Sequence, residues 1–277
     1  MSGDSGSTGI GFPEWKTVKT AFKVSRWLGP LWGQHKSKIL HEMVKDLHLE
    51  IAHSTKDYAF SLTEAGDERH ALTQRAGVSL CTKSLNLMSQ VLGLSDYDLN
   101  CSLKVCTKTT NGDLAIGSLA RGEPGDSRPY GDQDIHLVSK NTVWCALMAM
   151  DQNEIEWSKK PINCFACNDL PKEKGRFSCD RENWDSIYKS TLVYSLKCLD
   201  YRTTEKRLYG FLAFDSPKRD AFKNVPNVFD YCNGEISQYN QLLRESTAFH
   251  LGAIIADNLA GMIKPFYEAK NADTQLL

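Results

Sequence analysis

No stretch of the 277 residues offers the roughly 20 consecutive apolar side chains that a membrane-spanning helix needs. A leader of the basic, apolar, small-residue type is missing from the start of the sequence. No Gly-x-Ser-x-Gly elbow, phosphate-binding loop or His-Glu-x-x-His occurs, so the common hydrolase, nucleotide-hydrolysing and zinc-protease sites have no footing. An excess of one charge is lacking too. The 33 basic side chains stand against 34 acidic ones, and no global field argues for nucleic acid. Disulfide framework spacing is absent: the nine cysteines are scattered and odd in number, which fits a reduced, cytoplasmic protein with mostly buried thiols. Cys164-Phe-Ala-Cys167 is an isolated C-x-x-C pair, with neither a second pair nor two histidines at finger spacing to complete a zinc site. No metal and no cofactor is expected.

What is present suffices for a proper core. With 41% hydrophobic and 10% aromatic residues, the length allows one domain with extensions or two small domains. Residues 1–35 read as a Gly/Ser-rich tail followed by a basic amphipathic segment. Within it, Lys16, Lys19, Lys23 and Arg26 oppose Trp15, Val18 and Phe22. Segment 14–32 has the make-up of a peripheral contact with an anionic membrane, and docking of its aromatics on protein is the blander reading. Residues 36–93 form a helical hairpin. One helix starts at Ser37 and lasts to about His53, with Ile39, Met43, Leu47 and Ile51 in a row; the other runs from Asp67 to Leu92 and is capped by Gly93.

Period-two alternation then marks strands. Leu99, Cys101, Leu103 and Val105 alternate with Asn100, Ser102, Lys104 and Cys106; Asn111-Gly112 supplies a tight turn, and Leu114 to Arg121 returns. Gly122 to Asp134 reads as a long loop of the kind that often carries function. Asn141 to Met150 reads as a helix turning Val143, Trp144, Leu147 and Met148 to the core, Pro161 to Leu170 as extended, and Pro171 to Trp184 as a charged loop. A second hairpin follows: Thr191–Cys198 and Leu208–Phe214 are joined by a connection too short and polar for a parallel crossover.

In that hairpin, Tyr188-Lys-Ser-Thr-Leu-Val-Tyr-Ser-Leu196 followed by Gly210-Phe-Leu-Ala-Phe-Asp-Ser216 resembles the last two core strands of a GAF domain. Ala248 to Ile263 is similar to the closing helix of that family, and Asn141-Thr142 and Asn168-Asp169-Leu170 fall where some bacterial members carry similar pieces. The resemblance covers roughly residues 94–264 and implies an α+β fold of the small-molecule-sensing GAF/PAS-like kind. The expected architecture is an antiparallel sheet of about five or six strands flanked by helices, preceded by the N-terminal helical extension. Residues 217–246 read as an insertion before the closing helix, and 265–277 as a C-terminal tail.

The family binds small molecules between one sheet face and the helices and loops covering it. By position, the resemblance points to Arg121, Tyr130, Asp134, Trp144, Asn168, Asp169, Tyr188, Ser190 and Asp215 as the ligand-binding residues. Arg121 is placed to pair with an anionic ligand. Asp215 reads first as a structural residue holding the following turn, and Trp144 as core before ligand platform. Free methionine sulfoxide reductases share the fold, and Cys145, Cys164, Cys167 and Cys179 fall in regions that would line such a pocket. The chromophore-linking cysteine and the Asp-Glu signature of cyclic-nucleotide binders are not matched. His41, His48 and His250 lack the partners of a metal site.

The expectation is a non-catalytic sensory or regulatory protein of the cytoplasm, possessing no catalytic residues. It binds an unidentified small molecule and signals through a partner, or through a homodimer built on the N-terminal and closing helices. A thiol-dependent sulfoxide reductase is the first alternative and a membrane-peripheral scaffold the second.

Overall fold

The computed structural model describes residues 41–47, 49–50, 52–53, 67–122, 131–150, 162, 164–181, 183–200, 205–231 and 236–272. The basic segment 14–32, the cap at Ser37 and Tyr130 lie outside the described residues. The chain divides into two units, Met1–Lys45 and Asp46–Leu277. Of the first, residues 41–45 are described, and they are helical. All that follows concerns the second.

Six antiparallel strands make one sheet, in the order β3-β2-β1-β6-β5-β4. They are β1 (Asn100–Lys108), β2 (Leu114–Arg121), β3 (Gly131–Leu137), β4 (Cys164–Cys167), β5 (Ser190–Asp200) and β6 (Glu205–Ser216). The architecture is the expected α+β sheet with flanking helices. The two hairpins read from the sequence, β1–β2 and β5–β6, are joined at the sheet's centre by pairing of β1 with β6 from Asn100↔Asp215 to Val105↔Gly210. Gly210 allows that close approach, because a Cβ there would lie 2.1 Å from the Lys104 carbonyl oxygen. Gly112 turns β1 into β2 at φ +85°, where a side chain would be strained. Two boundaries differ from the sequence reading. The loop placed over Gly122 to Asp134 gives way to β3 from Gly131 onward, and β5 and β6 each run further toward their connection.

One sheet face carries Cys101, Leu103, Val105, Ala120, Leu192, Tyr194, Leu212 and Phe214, all buried. Helices α1 (Asp67–Leu92) and α5 (Thr247–Ala272) cover it and touch each other. Gly77 of α1 presses on Ala120, and Tyr194 reaches α5, its hydroxyl 3.1 Å from the carbonyls of both Ala248 and Phe249. Glu50, in the helical stretch before α1, accepts the Ser79 hydroxyl at 2.5 Å. The closing helix continues to Ala272, past the Ile263 at which its sequence similarity ends.

The opposite face is covered as well. Helix α2 (Thr142–Met148) lays Trp144 against Phe211 of β6, ring centroids 4.8 Å apart. Val143, Trp144 and Leu147 are buried as expected, whereas Met148 is only half-buried. A short helix, α3 (Trp184–Ile187), and 3-10 turns at Leu170–Glu173 and Val228–Asp230 complete the cover. Segment 217–246 contributes to the core: Phe222, Phe229 and Tyr239 are buried. Phe229 meets Phe165 edge-on, and Tyr239, in α4 (Ile236–Leu243), donates its hydroxyl proton to the Cys164 carbonyl at 3.0 Å.

Candidate functional site

The α2-covered face of the sheet bears Ser102 and Lys104 of β1, Ser118 and Arg121 of β2, Thr191 and Val193 of β5, and Ala213 and Asp215 of β6. Strand alternation would put Ser118 and Arg121, an odd number of residues apart, on opposite faces. A bulge removes the conflict. Leu103 pairs with Ala120 and Lys104 with Ser118, so Leu119 is the extra residue and Arg121 returns to the side of Ser118. As a result, two buried cations meet one hydroxyl: Lys104 Nζ lies 2.6 Å and an Arg121 terminal nitrogen 3.3 Å from Ser118 Oγ. Lys104 is 7% exposed and Arg121 3%. The ammonium also stands 5.9 Å from the centre of the Trp144 ring.

Beside these cations lies a small, partly open space of about 50 Å³. Its walls come from the sheet and the cover on this face: Lys104, Arg121, Val193 and Asp215 from the sheet, Asn141 and Trp144 from the start of α2, and Phe177, Cys179, Arg181 and Tyr188 from the connecting segments. The cover is stitched down locally. Asn141 Oδ1 accepts the Val143 amide at 3.1 Å and so caps α2, while its Nδ2 lies 3.4 Å from Cys179 Sγ. Thr142 and Ser178 exchange bonds, with Thr142 N–H donating to the Ser178 carbonyl at 3.0 Å and Ser178 N–H to Thr142 Oγ1 at 2.8 Å. His136 Nδ1 sits 2.7 Å from Asp180 Oδ1, and Asp180 Oδ2 accepts the Leu137 amide at 3.2 Å, tying β3 to the same segment. The indole N–H of Trp144 is buried and has no hydrogen-bond partner.

Of the residues picked out from the sequence, Arg121, Trp144, Tyr188 and Asp215 line this space. Asn168, Asp169 and Ser190 do not; they do structural work beside it. Asn168 clamps the chain after β6, accepting the Phe222 amide at 3.0 Å and donating to the carbonyls of Phe222 and Val225 at 2.8 and 3.2 Å. Asp169 caps the Leu170–Glu173 turn and pairs with Arg219 at 3.3 Å. Ser190, fully buried, donates to the Lys218 carbonyl at 2.7 Å. The backbone of Asp134 belongs to β3, and its side chain lies outside the description. Asp215 accepts the Thr191 hydroxyl at 2.5 Å across the sheet. The following turn is held by Ser216 instead: its hydroxyl donates to the Asp98 carbonyl at 2.6 Å and accepts the Lys218 amide at 3.1 Å.

Lys104, Asn141, His136 and Arg181 were missed as lining residues. Lys104 is the instructive case, because a lysine midway along an apolar-alternating strand signals either a solvated face or a buried charge with a purpose.

The four thiols singled out from the sequence are all raised by burial. Cys164 and Cys167 stand three apart on β4 and project to opposite faces of the sheet. Burial pushes Cys164 far up, Cys167 to about 12 and Cys145 to about 11. Cys179, the one of these four that lines the space, is raised as well, again mainly by burial. Among the described residues no group of three or more His, Cys, Asp or Glu is arranged to hold a metal, and no helix is long and apolar enough to cross a membrane. A wider groove of about 800 Å³ opens near Tyr194, Phe249 and Lys197, but none of the nine candidate residues lines it.

No protein-family model matches the chain, and no curated protein matches it in sequence.

Proposed function

We propose that the chain is a GAF-like sensory or regulatory module, without catalysis, that holds a small molecule in the space between the sheet and α2. The observation that carries this reading is convergence. Arg121, Trp144, Tyr188 and Asp215, drawn from separate elements, meet around one space on the face away from α1 and α5. The segments that carry the family resemblance fall on β5, β6 and α5, in the family's order.

The same strands supply a route outward. On β5, Thr191 and Val193 face the space, while their neighbours Leu192 and Tyr194 face α5. An occupant that shifts β5 therefore shifts the seat of the closing helix, and a ligand with unequal affinity for two such arrangements biases their populations. A homodimer through α5 and the N-terminal helices would carry that bias to a partner. Reduction of a small sulfoxide by thiols is the competing function, and the raised thiols together with the divergent Cys164 and Cys167 speak against it.

Native mass spectrometry of gently purified protein is the test. The expected result is a mass excess from a retained small molecule, lost in Tyr188→Ala and retained in Asn168→Ala. Consumption of NADPH with thioredoxin that depends on both free methionine sulfoxide and Cys179 would overturn the non-catalytic reading.

A further inference from the structure

We infer that the groove beside Tyr194 and Phe249 is a second binding site, for a small amphipathic molecule with a flat, ring-bearing apolar body and one polar end. It stands apart from the space beside Arg121, with which it shares no described lining residue. Its volume, about 800 Å³, falls in the roughly 300–1,000 Å³ range of small-molecule sites. Strands β5 and β6 meet α5 and the end of α2 around it.

The groove has an apolar end and a charged end, and two elements run the same way between them. On α5, Phe249 leads through Ala253 and Ala256 to Asp257; on β5, Tyr194 leads to Lys197. Phe249 stacks on Tyr194 with ring centroids 6.0 Å apart, which fixes the apolar end. Lys206 fixes the other. Burial first and Lys206 second hold the Lys197 pKa down, and Lys206 also opposes the rise that burial gives Asp257, so the three charges stand together. Asp257 lies eight residues beyond Phe249 on α5, a span of about 12 Å at roughly 1.5 Å per residue. The walls favour a ring over a chain. Phe249 and Met148 are half-buried, so ring and thioether surface stays open to the groove, and both pack well on aromatic faces. Ala253 and Ala256 keep the α5 wall low between the two ends. A body of that length corresponds to a few fused or linked rings, with a polar group reaching the end where both signs of charge are present. Burial of the rings, and not the charge of the head, supplies the affinity.

The experiment titrates N-phenylnaphthylamine, a neutral probe whose emission rises in apolar surroundings, into the full chain. The expected result is saturable emission from one probe per chain. Ala253→Leu fills the middle of the groove with a residue that favours helix, and weakens the probe by about tenfold or more. The thermal midpoint of the free protein checks that this variant folds. Phe249→Leu keeps apolar bulk, removes the ring and weakens the probe by about two- to tenfold, which serves the test even where Ala253→Leu does not fold. Naphthalene disulfonate, charged on both rings, has to place one charge at the apolar end and therefore does not displace the probe.

Saturable binding that both variants leave untouched puts the probe elsewhere and overturns the inference. Displacement by the disulfonate, or emission that never saturates, does the same. If the probe fails to bind and Ala253→Leu lowers the sedimentation mass of the protein, the groove is a contact between copies of this chain and not a ligand site.

Discussion

The ring of Tyr194 fills the space that a side chain on Gly252 would need: a Cβ there would stand 2.4 Å from the ring carbons and the hydroxyl oxygen. Tyr194 cannot withdraw, because its ring is buried against α5 and its hydroxyl is held at the Ala248 and Phe249 carbonyls. Gly252→Ala should therefore destabilise the protein by about 1–3 kcal/mol despite alanine's better helix propensity. Urea unfolding checks the sign, since a stabilised Gly252→Ala would mean that the closing helix does not seat on Tyr194.

Asn168 provides a control for the ligand site. Its side chain satisfies one amide and two carbonyls of the chain that follows β6. Asn168→Ala strands those groups and should cost about 2–3 kcal/mol, seen as a lower thermal midpoint. Retention of a small molecule should survive in the folded fraction. Selective loss of the ligand with unchanged stability would return Asn168 to the ligand site, where the sequence reading put it.

Alkaline pH should weaken the fold through its thiols. Cys106 and Cys167 are held up at about 12 and Cys145 at about 11, from an ordinary 9.0. The unfolded chain gives up these protons from about pH 9, while the folded chain keeps them. Their stabilising effect is complete below that pH and falls as pH rises toward the folded values, by up to about 1.4 kcal/mol per pH unit for each thiol. Stability measured between about pH 8 and 11 should decline, and Cys106→Ala should make the decline shallower. An equally steep profile in Cys106→Ala would place that thiol in contact with water.

How much the sequence discloses depends on which force fixes each feature. The β1–β2 and β5–β6 hairpins were legible because alternation and the Asn111-Gly112 turn are local signals. β3 was missed because its glycine-, aspartate- and glutamine-bearing sequence, Gly131 to Leu137, has no apolar alternation and is defined by pairing with β2. Lys104 was passed over because alternation separates two faces without saying whether the second is wet. The cover supplied by α2 decides that, and it is a tertiary fact. Arg121 was found from its place at a strand end, but its meeting with Lys104 at Ser118 depends on the bulge at Leu119, which leaves no mark in the pattern.

The central pairing of β1 with β6 also bears on how the protein is made. On the ribosome, β1 and β2 are complete roughly 100 residues before Glu205–Ser216 emerges to join them. At roughly 5–20 residues per second, the inner edge of β1 waits for about 5–20 s with its backbone donors and acceptors unpaired. A truncated product ending before Glu205 would keep that edge bare for good, with Leu103 and Val105 deprived of their β6 neighbours. Nascent chains stalled in this interval should therefore aggregate or recruit chaperones, whereas chains that extend through α5 to Ala272 should not.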